Sequence, residues 1–270
     1  MKQLDLSGQN ILVTGGGGVG VGAGVCQALS NFGAQVILNE IKMDLAEKAA
    51  KNYRNAIPIA ADISKGEEIA SMFDTIEQQV GVIHGLVNNA GVGLSQLAHQ
   101  ASVEEFDNLY NVDIKGVWQV SKAFVNQLLE KDSTGNIVNI SSVNAHSTMS
   151  RYAIYASAKA AVEGLTRGMA VELGPQNIRV NAVGPGYVHA DQNYDLIKTW
   201  SDDPKKWVED FIKDQQVLLY DIKPEDCGNT VAFLLSDLSR AITGQTIYVD
   251  NGTTSLIFNR FATEYGGDKK

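Results

Sequence analysis

Short apolar segments alternate with longer helix-forming segments along almost the whole chain, and this order restricts the fold more than any other feature. The chain includes a long helical stretch from Ser102 to Lys131. Strands that alternate with helices form a parallel sheet covered on both faces. Right-handed crossovers then produce a doubly wound α/β domain. The predicted strands are Ile11–Val13, Gln35–Leu38, Ile57–Ala60, His84–Val87, Asn136–Ile140, Ile178–Val183 and Gly244–Val249.

Composition narrows the class of protein and partner. With 270 residues, 44% of them hydrophobic, the chain can form one large domain with a sizeable core. A net charge of −9 and a pI near 4.9 disfavour nucleic acid and anionic membrane as partners. The sequence shows no apolar run of signal-peptide or membrane-span length, so we expect a cytoplasmic protein with Cys26 and Cys227 as buried thiols. No spacing of His, Cys and carboxylate residues indicates a metal site.

Three notable segments lie at or just beyond the carboxyl ends of predicted strands. They are the glycine-rich turn Thr14–Gly22, the segment Asn88–Gly91, and Ser142. Ligands of doubly wound sheets bind beyond the carboxyl ends of the strands, so these segments are expected to meet at one site. Glycines between a strand and a helix let backbone amides approach a pyrophosphate at the positive helix end. The order predicts a single Rossmann-type domain with a mostly parallel sheet of about seven strands, although Ala23 stands at the third position of G-x-G-x-x-G.

Tyr155 and Lys159 open a helix-forming segment, and Ser142 ends the preceding strand. Residues four apart lie on one helix face, so the phenol and the ammonium point into the same space. An ammonium close to a phenol favours its ionised form, and a phenol adjusted in this way can act as a general acid or base. A second Tyr-x-x-x-Lys at Tyr194–Lys198 follows no strand and is most simply a surface pair.

The residues after the second and third strands bear on the choice of dinucleotide. Glu40 can accept hydrogen bonds from the ribose hydroxyls of adenosine and would repel a 2′-phosphate. No arginine stands beside it, although Lys42 is close, so NAD is favoured and NADP is less expected. Asp62 and Ile63 are placed to reach the adenine edge, while Asp62 could equally cap a helix.

Taken together, these motifs resemble the short-chain dehydrogenases/reductases from about Leu6 to Gly252. The resemblance implies oxidation or reduction of an alcohol/ketone pair with a nicotinamide dinucleotide, and Tyr155 as the general acid/base. Lys159 would assist Tyr155 and hold the nicotinamide ribose, and Ser142 would hold the substrate oxygen. The cofactor residues that it implies are Gly15, Gly20, Gly22, Glu40, Asp62, Ile63, Asn89, Ala90, Gly91, Tyr155, Lys159, Pro185, Gly186 and Val188.

The chain departs from the family pattern at three places. One residue is inserted in the glycine turn, so Gly20 and Gly22 are the best matches to its last two glycines. Asp113 stands where the family has a fourth catalytic residue, an asparagine. Ala190 replaces a threonine that contacts the nicotinamide amide.

In the family, substrate specificity comes from the loop after Gly186. The resemblance therefore predicts a substrate lid over residues 187–221. This lid belongs to a catalytic domain of residues 1–252, and a tail of residues 253–270 follows. The polar character of the expected pocket favours a sugar, polyol or hydroxy acid as substrate. An NADPH-dependent ketoreductase and a non-catalytic NAD-binding regulator are the alternatives. The resemblance also implies a homotetramer, or otherwise a dimer. The expected substrate residues are Ser142, Asn144, Met149, Tyr152, Tyr187 and His189.

Overall fold

The computed structural model describes residues 3–189, 193–194 and 197–257. Within them, seven strands form one sheet: β1 (Asn10–Thr14), β2 (Gln35–Glu40), β3 (Ile57–Ala60), β4 (Gly85–Asn88), β5 (Asn136–Ile140), β6 (Arg179–Pro185) and β7 (Thr246–Val249). Their order across the sheet is β3-β2-β1-β4-β5-β6-β7. Every strand pairing is parallel, which confirms the predicted doubly wound α/β fold.

Helices cover both faces of the sheet, and successive strand residues serve opposite faces. In β1, Ile11 belongs to a core cluster with α1 (Val21–Asn31) and α8 (Pro224–Leu235). Leu12 belongs to a second cluster with α3 (Gly66–Val80) and α5 (Val117–Glu130). This alternation of nearly continuous apolar strands is typical of a parallel sheet buried on two sides. The described helices are α1 (Val21–Asn31), α2 (Met43–Ala50), α3 (Gly66–Val80), α4 (Val103–Tyr110), α5 (Val117–Glu130), α6 (Ala153–Leu173), α7 (Pro204–Gln215) and α8 (Pro224–Leu235).

Both cysteines are free and buried, as expected from the sequence. Burial raises the pKa of the Cys26 and Cys227 thiols to about 12 in each case, so neither is a thiolate at neutral pH. Among the described helices, none is both long and apolar enough to cross a bilayer.

The long helical stretch predicted from Ser102 to Lys131 is present, but it is not uniformly α-helical. It begins with a capping box, in which Ser102 Oγ accepts from the N–H of Glu105 (3.1 Å) and the Glu105 carboxylate accepts from the N–H of Ser102 (2.8 Å). Between α4 and α5, Asn111–Gly116 forms a π-helical segment. Such wide turns often occur at functional sites. This one carries Asp113, whose side chain is fully buried.

Two glycines allow α1 and α8 to approach each other closely. A Cβ atom on Gly24 would lie 2.1 Å from the carbonyl carbon of Pro224, and one on Gly228 would lie 2.2 Å from the carbonyl oxygen of Gly24. Both obstructing atoms belong to the backbone and cannot rotate away. The close contact therefore fixes the position of α1, whose N-terminus follows the glycine-rich turn.

We predict that Gly24→Ala lowers the free energy of unfolding by about 2 kcal/mol, because the added methyl group overpacks the α1–α8 contact. Gly168→Ala is the matched control, since Gly168 lies exposed on α6 with no atom near its Cβ position. That change should raise stability by about 1 kcal/mol through helix propensity alone. Urea unfolding measures both variants, and equal effects of the same sign would contradict the packing argument.

Candidate active site

Thr14 joins the end of β1 to the segment that follows β4. Its fully buried hydroxyl accepts hydrogen bonds from the N–H groups of Asn89 and Ala90, each at 3.1 Å. In return, Asn89 Nδ2 donates to the carbonyl groups of Thr14 (3.0 Å) and Gly15 (2.8 Å). Gly15 has a φ of +64°, and a Cβ atom there would lie 2.7 Å from Ala90 Cα. Only glycine fits this contact, and the structure thereby brings together three of the expected cofactor residues.

Helix α1 starts at the end of the glycine turn with Gly20 as its N-cap, and no side chain caps its first turn. A Cβ atom on Gly22 would lie 2.4 Å from the carbonyl oxygen of Gly15, so this position also requires glycine. The first amides of a helix carry partial positive charge and bind anions. A small, uncapped and glycine-lined helix start fits the pyrophosphate of a dinucleotide. Despite the inserted residue, Gly20 and Gly22 both lie at this start.

Glu40 ends β2 and faces the glycine turn. Its Oε1 accepts a hydrogen bond from the N–H of Gly17 (2.8 Å), and its Oε2 accepts from the N–H of Ile41 (3.3 Å). A Cβ atom on Gly17 would lie 2.5 Å from Glu40 Cγ. The Glu40 carboxylate is therefore held against the glycine turn by two backbone N–H groups. Its contact with the ribose of adenosine stays a prediction.

Asp62 and Ile63 follow β3 but differ in their accessibility. Asp62 Oδ1 accepts from the N–H (2.9 Å) and hydroxyl (2.7 Å) of Ser64, which forms a local turn; the N-cap of α3 is Lys65. Burial acts to raise the pKa of Asp62, but the Ser64 hydrogen bonds and the Lys65 ammonium outweigh it, so this pKa lies below its usual value. The Ile63 side chain is buried against Gly116, which leaves only its backbone for a ligand.

The structure brings Tyr155 and Lys159 together on α6. Lys159 Nζ lies 5.6 Å from the centroid of the Tyr155 ring. Ser142 is the second residue after β5, is buried, and accepts hydrogen bonds at Oγ from the N–H (3.2 Å) and Nδ2 (3.3 Å) of Asn144. The neighbouring Ser141 hydroxyl donates to the carbonyl group of Lys159 (3.3 Å). This bond ties the strand end that carries Ser142 to the helix that carries the tyrosine and the lysine.

The Lys159 ammonium is buried and has two polar partners besides Tyr155. It lies 2.9 Å from Asp113 Oδ2 and donates to the carbonyl group of Ile140 (3.3 Å). Asp113 Oδ1 accepts from the N–H of Val92 (2.8 Å). Burial acts to lower the pKa of Lys159, but the charges of Tyr155 and Asp113 outweigh it and raise that pKa above its usual value. The lysine is therefore a charged group beside the phenol at neutral pH.

Comparisons with known proteins agree with this geometry. A family model described as enoyl-(acyl carrier protein) reductase matches residues 17–254. L-xylulose reductase from Caenorhabditis elegans is 35% identical over 252 residues, which cover 92% of this chain and 96% of that protein. Carbonyl reductase (NADPH) 2 from Sus scrofa is 34% identical over 251 residues, which cover 93% and 98%. The chain belongs to the short-chain dehydrogenase/reductase family. It is an NAD(P)-dependent oxidoreductase.

Solved structures support the same assignment. A crystal structure of a protein from Agrobacterium tumefaciens, assigned as a gluconate dehydrogenase, has a TM-score of 0.87 to this chain at 28% identity. The match covers 94% of this chain and 99% of that one. The short-chain dehydrogenase/reductase fold thus extends over nearly the whole sequence.

Sequence reasoning missed a buried polar network beneath the site of this short-chain dehydrogenase/reductase. Asn88 Nδ2 donates to Ser121 Oγ (2.9 Å) and to Asn139 Oδ1 (2.8 Å), and Asn139 Nδ2 donates to Thr166 Oγ1 (2.9 Å). The four side chains are buried and join β4 and β5 to α5 and α6. Asparagine is depleted in strands, and a buried amide needs partners. Asn139 within an apolar strand was the signal that could have revealed the network.

The segment after β6 lies beside β7 at the carboxyl edge of the sheet. Gly186 follows Pro185, and its N–H donates to a carbonyl group of β7 (2.9 Å). Val188 is buried and forms an isolated parallel bridge with Ile222. Ala190, at the position where the family has a threonine, lies outside the described residues.

The predicted lid contains an aromatic cluster around Tyr187. Its ring packs against those of Trp207 (5.9 Å between centroids) and Phe211 (5.5 Å), and Trp200 packs on Trp207 (6.1 Å). Burial, together with the nearby Tyr194 and Asp221, raises the pKa of Tyr187 to about 12. Tyr187 is thus packed into the predicted lid, and its contact with a substrate stays a prediction.

The other expected substrate residues occupy two places. Tyr152 packs edge-on against Tyr155 (5.9 Å between centroids), whereas Met149 is 48% exposed. His189 instead lines an open cleft of about 590 Å³ beneath α7, where its Nδ1 lies 3.6 Å from Asp221 Oδ1. Tyr194, of the second Tyr-x-x-x-Lys motif, packs on the His189 ring in this cleft.

We predict that Thr14→Val lowers the free energy of unfolding by about 2 kcal/mol, because the N–H groups after β4 lose their buried acceptor without a change in side-chain volume. Thr14→Ser retains the hydroxyl and is the matched control, which should keep most of that stability. Urea unfolding distinguishes the two variants. A Thr14→Val variant as stable as the wild type, or less destabilised than Thr14→Ser, would contradict the role assigned to the hydrogen bonds.

Proposed function

We propose that the protein is an NAD-dependent dehydrogenase that interconverts a secondary alcohol and its ketone, with Tyr155 as the general acid/base. The buried Lys159 ammonium, 5.6 Å from the Tyr155 ring, is the observation that carries the proposal. A cation held beside a phenol favours its ionised form, and such a phenol can exchange a proton with a substrate hydroxyl.

Each residue has a distinct task in this proposal. Ser142 Oγ, fixed by Asn144, donates a hydrogen bond to the substrate oxygen. The Tyr155 phenolate takes the proton from that oxygen in oxidation, and the phenol returns it in reduction. A nicotinamide dinucleotide, when bound, would supply or accept the hydride. The glycine turn, Asn89 and Ala90 would hold the dinucleotide, with Lys159 at its nicotinamide ribose.

The proposed substrate class is a sugar, a polyol or a hydroxy acid. Relatives are named L-xylulose reductase and gluconate dehydrogenase, and two of the expected pocket residues, Ser142 and Asn144, are polar and hydrogen-bonded to each other. A panel of polyols, sugars and hydroxy acids with NAD or NADP, read by absorbance of the reduced cofactor, tests the proposal. Cofactor binding without turnover of any of these compounds would overturn it.

We predict that Tyr155→Phe lowers kcat by about 10³-fold, because it removes the proton-transfer group. Binding of the cofactor, measured by fluorescence titration, should change little. Tyr110→Phe is the matched control. It likewise removes a tyrosine hydroxyl, one that is hydrogen-bonded to Ser157 (2.9 Å), but Tyr110 on α4 has no task in the proposed reaction. A Tyr155→Phe enzyme with near-normal kcat would rule out the assigned role.

Glu40 supports NAD as the cofactor, while the name of the Sus scrofa carbonyl reductase favours NADPH. We predict that the wild-type enzyme prefers NAD. Glu40→Gln should lower the ratio of kcat/KM with NAD to kcat/KM with NADP by about tenfold, because the amide no longer repels a 2′-phosphate. Glutamine keeps the size of the side chain and an oxygen for the Gly17 N–H. Glu47→Gln, which removes an exposed charge from α2, should leave the ratio unchanged. A wild-type preference for NADPH would instead support the ketoreductase.

A homotetramer or a dimer stays a prediction. Exposed apolar side chains on α4 and α5, including Val103, Phe106 and Trp118, provide described surface that such an interface could bury. Residues 258–270 of the predicted tail lie outside the described residues, and Thr253–Ser255 form a 3₁₀ turn.

A further inference from the structure

The Lys159 ammonium has a charged partner at the position where the family resemblance leads one to expect an uncharged amide. Asp113 is fully buried in the π-helical segment, and its Oδ2 lies 2.9 Å from Lys159 Nζ. The pair is tightly enclosed: a Cβ atom on Gly91 would lie 3.0 Å from Asp113 Oδ2 and 3.3 Å from Lys159 Nζ. An opposite charge at this distance, shielded from water, is a strong electrostatic partner.

The groups that face the ammonium come from several elements. Asp113 approaches from the π-helical segment, the Ile140 carbonyl group from β5, and the Tyr155 ring from α6 itself. Glu163, the next carboxylate along α6, instead accepts hydrogen bonds from Ser141 (3.0 Å) and Tyr248 (2.9 Å). Among these described groups, Asp113 is therefore the carboxylate paired with the ammonium.

The second oxygen of Asp113 shows why the carboxylate stays in place. Oδ1 accepts from the N–H of Val92 (2.8 Å), in the segment that continues from the expected cofactor residues after β4. The Asp113 side chain thus connects the segment after β4 to Lys159. An ammonium buried without a counter-charge is strongly destabilised and tends to lose its proton.

We propose that Asp113 is a positioning residue, which acts through Lys159: it keeps the lysine charged and directed at Tyr155, and so sets the alkaline limit of turnover. The proposal rests on the proposed function of Tyr155 and deepens it. It replaces the expectation of a catalytic role for Asp113, because this carboxylate contacts the lysine and the backbone.

The direction of the effect follows from the charges. Asp113 and Tyr155 raise the pKa of Lys159 against the effect of burial. Without the carboxylate, burial is less opposed, and the lysine loses its proton at lower pH. Because the proposed chemistry needs the ammonium, activity should then be lost at lower pH on the alkaline side, while the maximum near neutral pH is largely retained.

Asp113→Asn tests the proposal, since asparagine preserves the shape and an acceptor for the Val92 N–H. The Lys159 titration is followed by NMR of protein carrying ¹³C at the lysine ε-carbon, with the resonance assigned from Lys159→Met. In parallel, kcat/KM is measured against pH with NAD and the best substrate of the panel. We expect both the Lys159 midpoint and the alkaline limb of the rate profile to move down by about one pH unit or more.

Ser121→Ala is the matched control, because it also removes a buried hydrogen-bonding group near the site without altering the charge. It should lower stability and leave both pH midpoints at their wild-type values. Unchanged midpoints in Asp113→Asn would overturn the proposal. Wild-type Lys159 must itself keep its proton to a higher pH than a solvent-exposed lysine of the same protein, and earlier deprotonation would overturn the proposal even if Asp113→Asn failed to fold. Absence of turnover would refute the proposed function, whereas the NMR titration would still judge the ion pair.

Discussion

The site depends on the pairing of β1 with both β2 and β4. Val13 lies opposite Leu38 on one side and Val87 on the other. The chain therefore proceeds outward from β1 in one direction and later returns to continue in the other direction. This reversal leaves a crevice at the carboxyl ends of the central strands, which no crossover helix can fill. The glycine turn, the Asn88–Gly91 segment and Ser142 all lie at that edge because their strands are neighbours.

Within the crevice, the most demanding group is the buried ammonium. A charge removed from water needs compensation by several partners, and the structure provides a carboxylate, a carbonyl group and an aromatic ring around Lys159. At the same strand end, the Ser141 hydroxyl lies within hydrogen-bond distance of both the Lys159 carbonyl oxygen and the Glu163 carboxylate on α6. The positions of Ser142, Tyr155 and Lys159 are consequently fixed by the end of a strand and by a long helix. Such a site needs little rearrangement when a substrate arrives.

The fold could be predicted from the sequence because its determinants are local. Apolar strands, glycines with required close contacts and the spacing of Tyr155 and Lys159 each indicate one conformation. The π-helical segment could not be predicted, since the propensities of its six residues do not distinguish a π-helical turn from an α-helical one. The direct pairing of Asp113 with Lys159 depends on that segment. The Asn88–Asn139 network likewise joins residues far apart in sequence, and its existence follows only from the register of β4 on β5.

The cofactor half and the substrate half of the site are built by different means. Backbone groups and glycines form the first, so their pattern is visible in sequence and tolerates little change. Side chains of the predicted lid are expected to form the second, and in it Tyr187, Trp207 and Phe211 pack on one another. Such a lid can change its pocket residues without moving Ser142, Tyr155 or Lys159. This separation explains how relatives named for a xylulose, a carbonyl compound and an enoyl group share one scaffold.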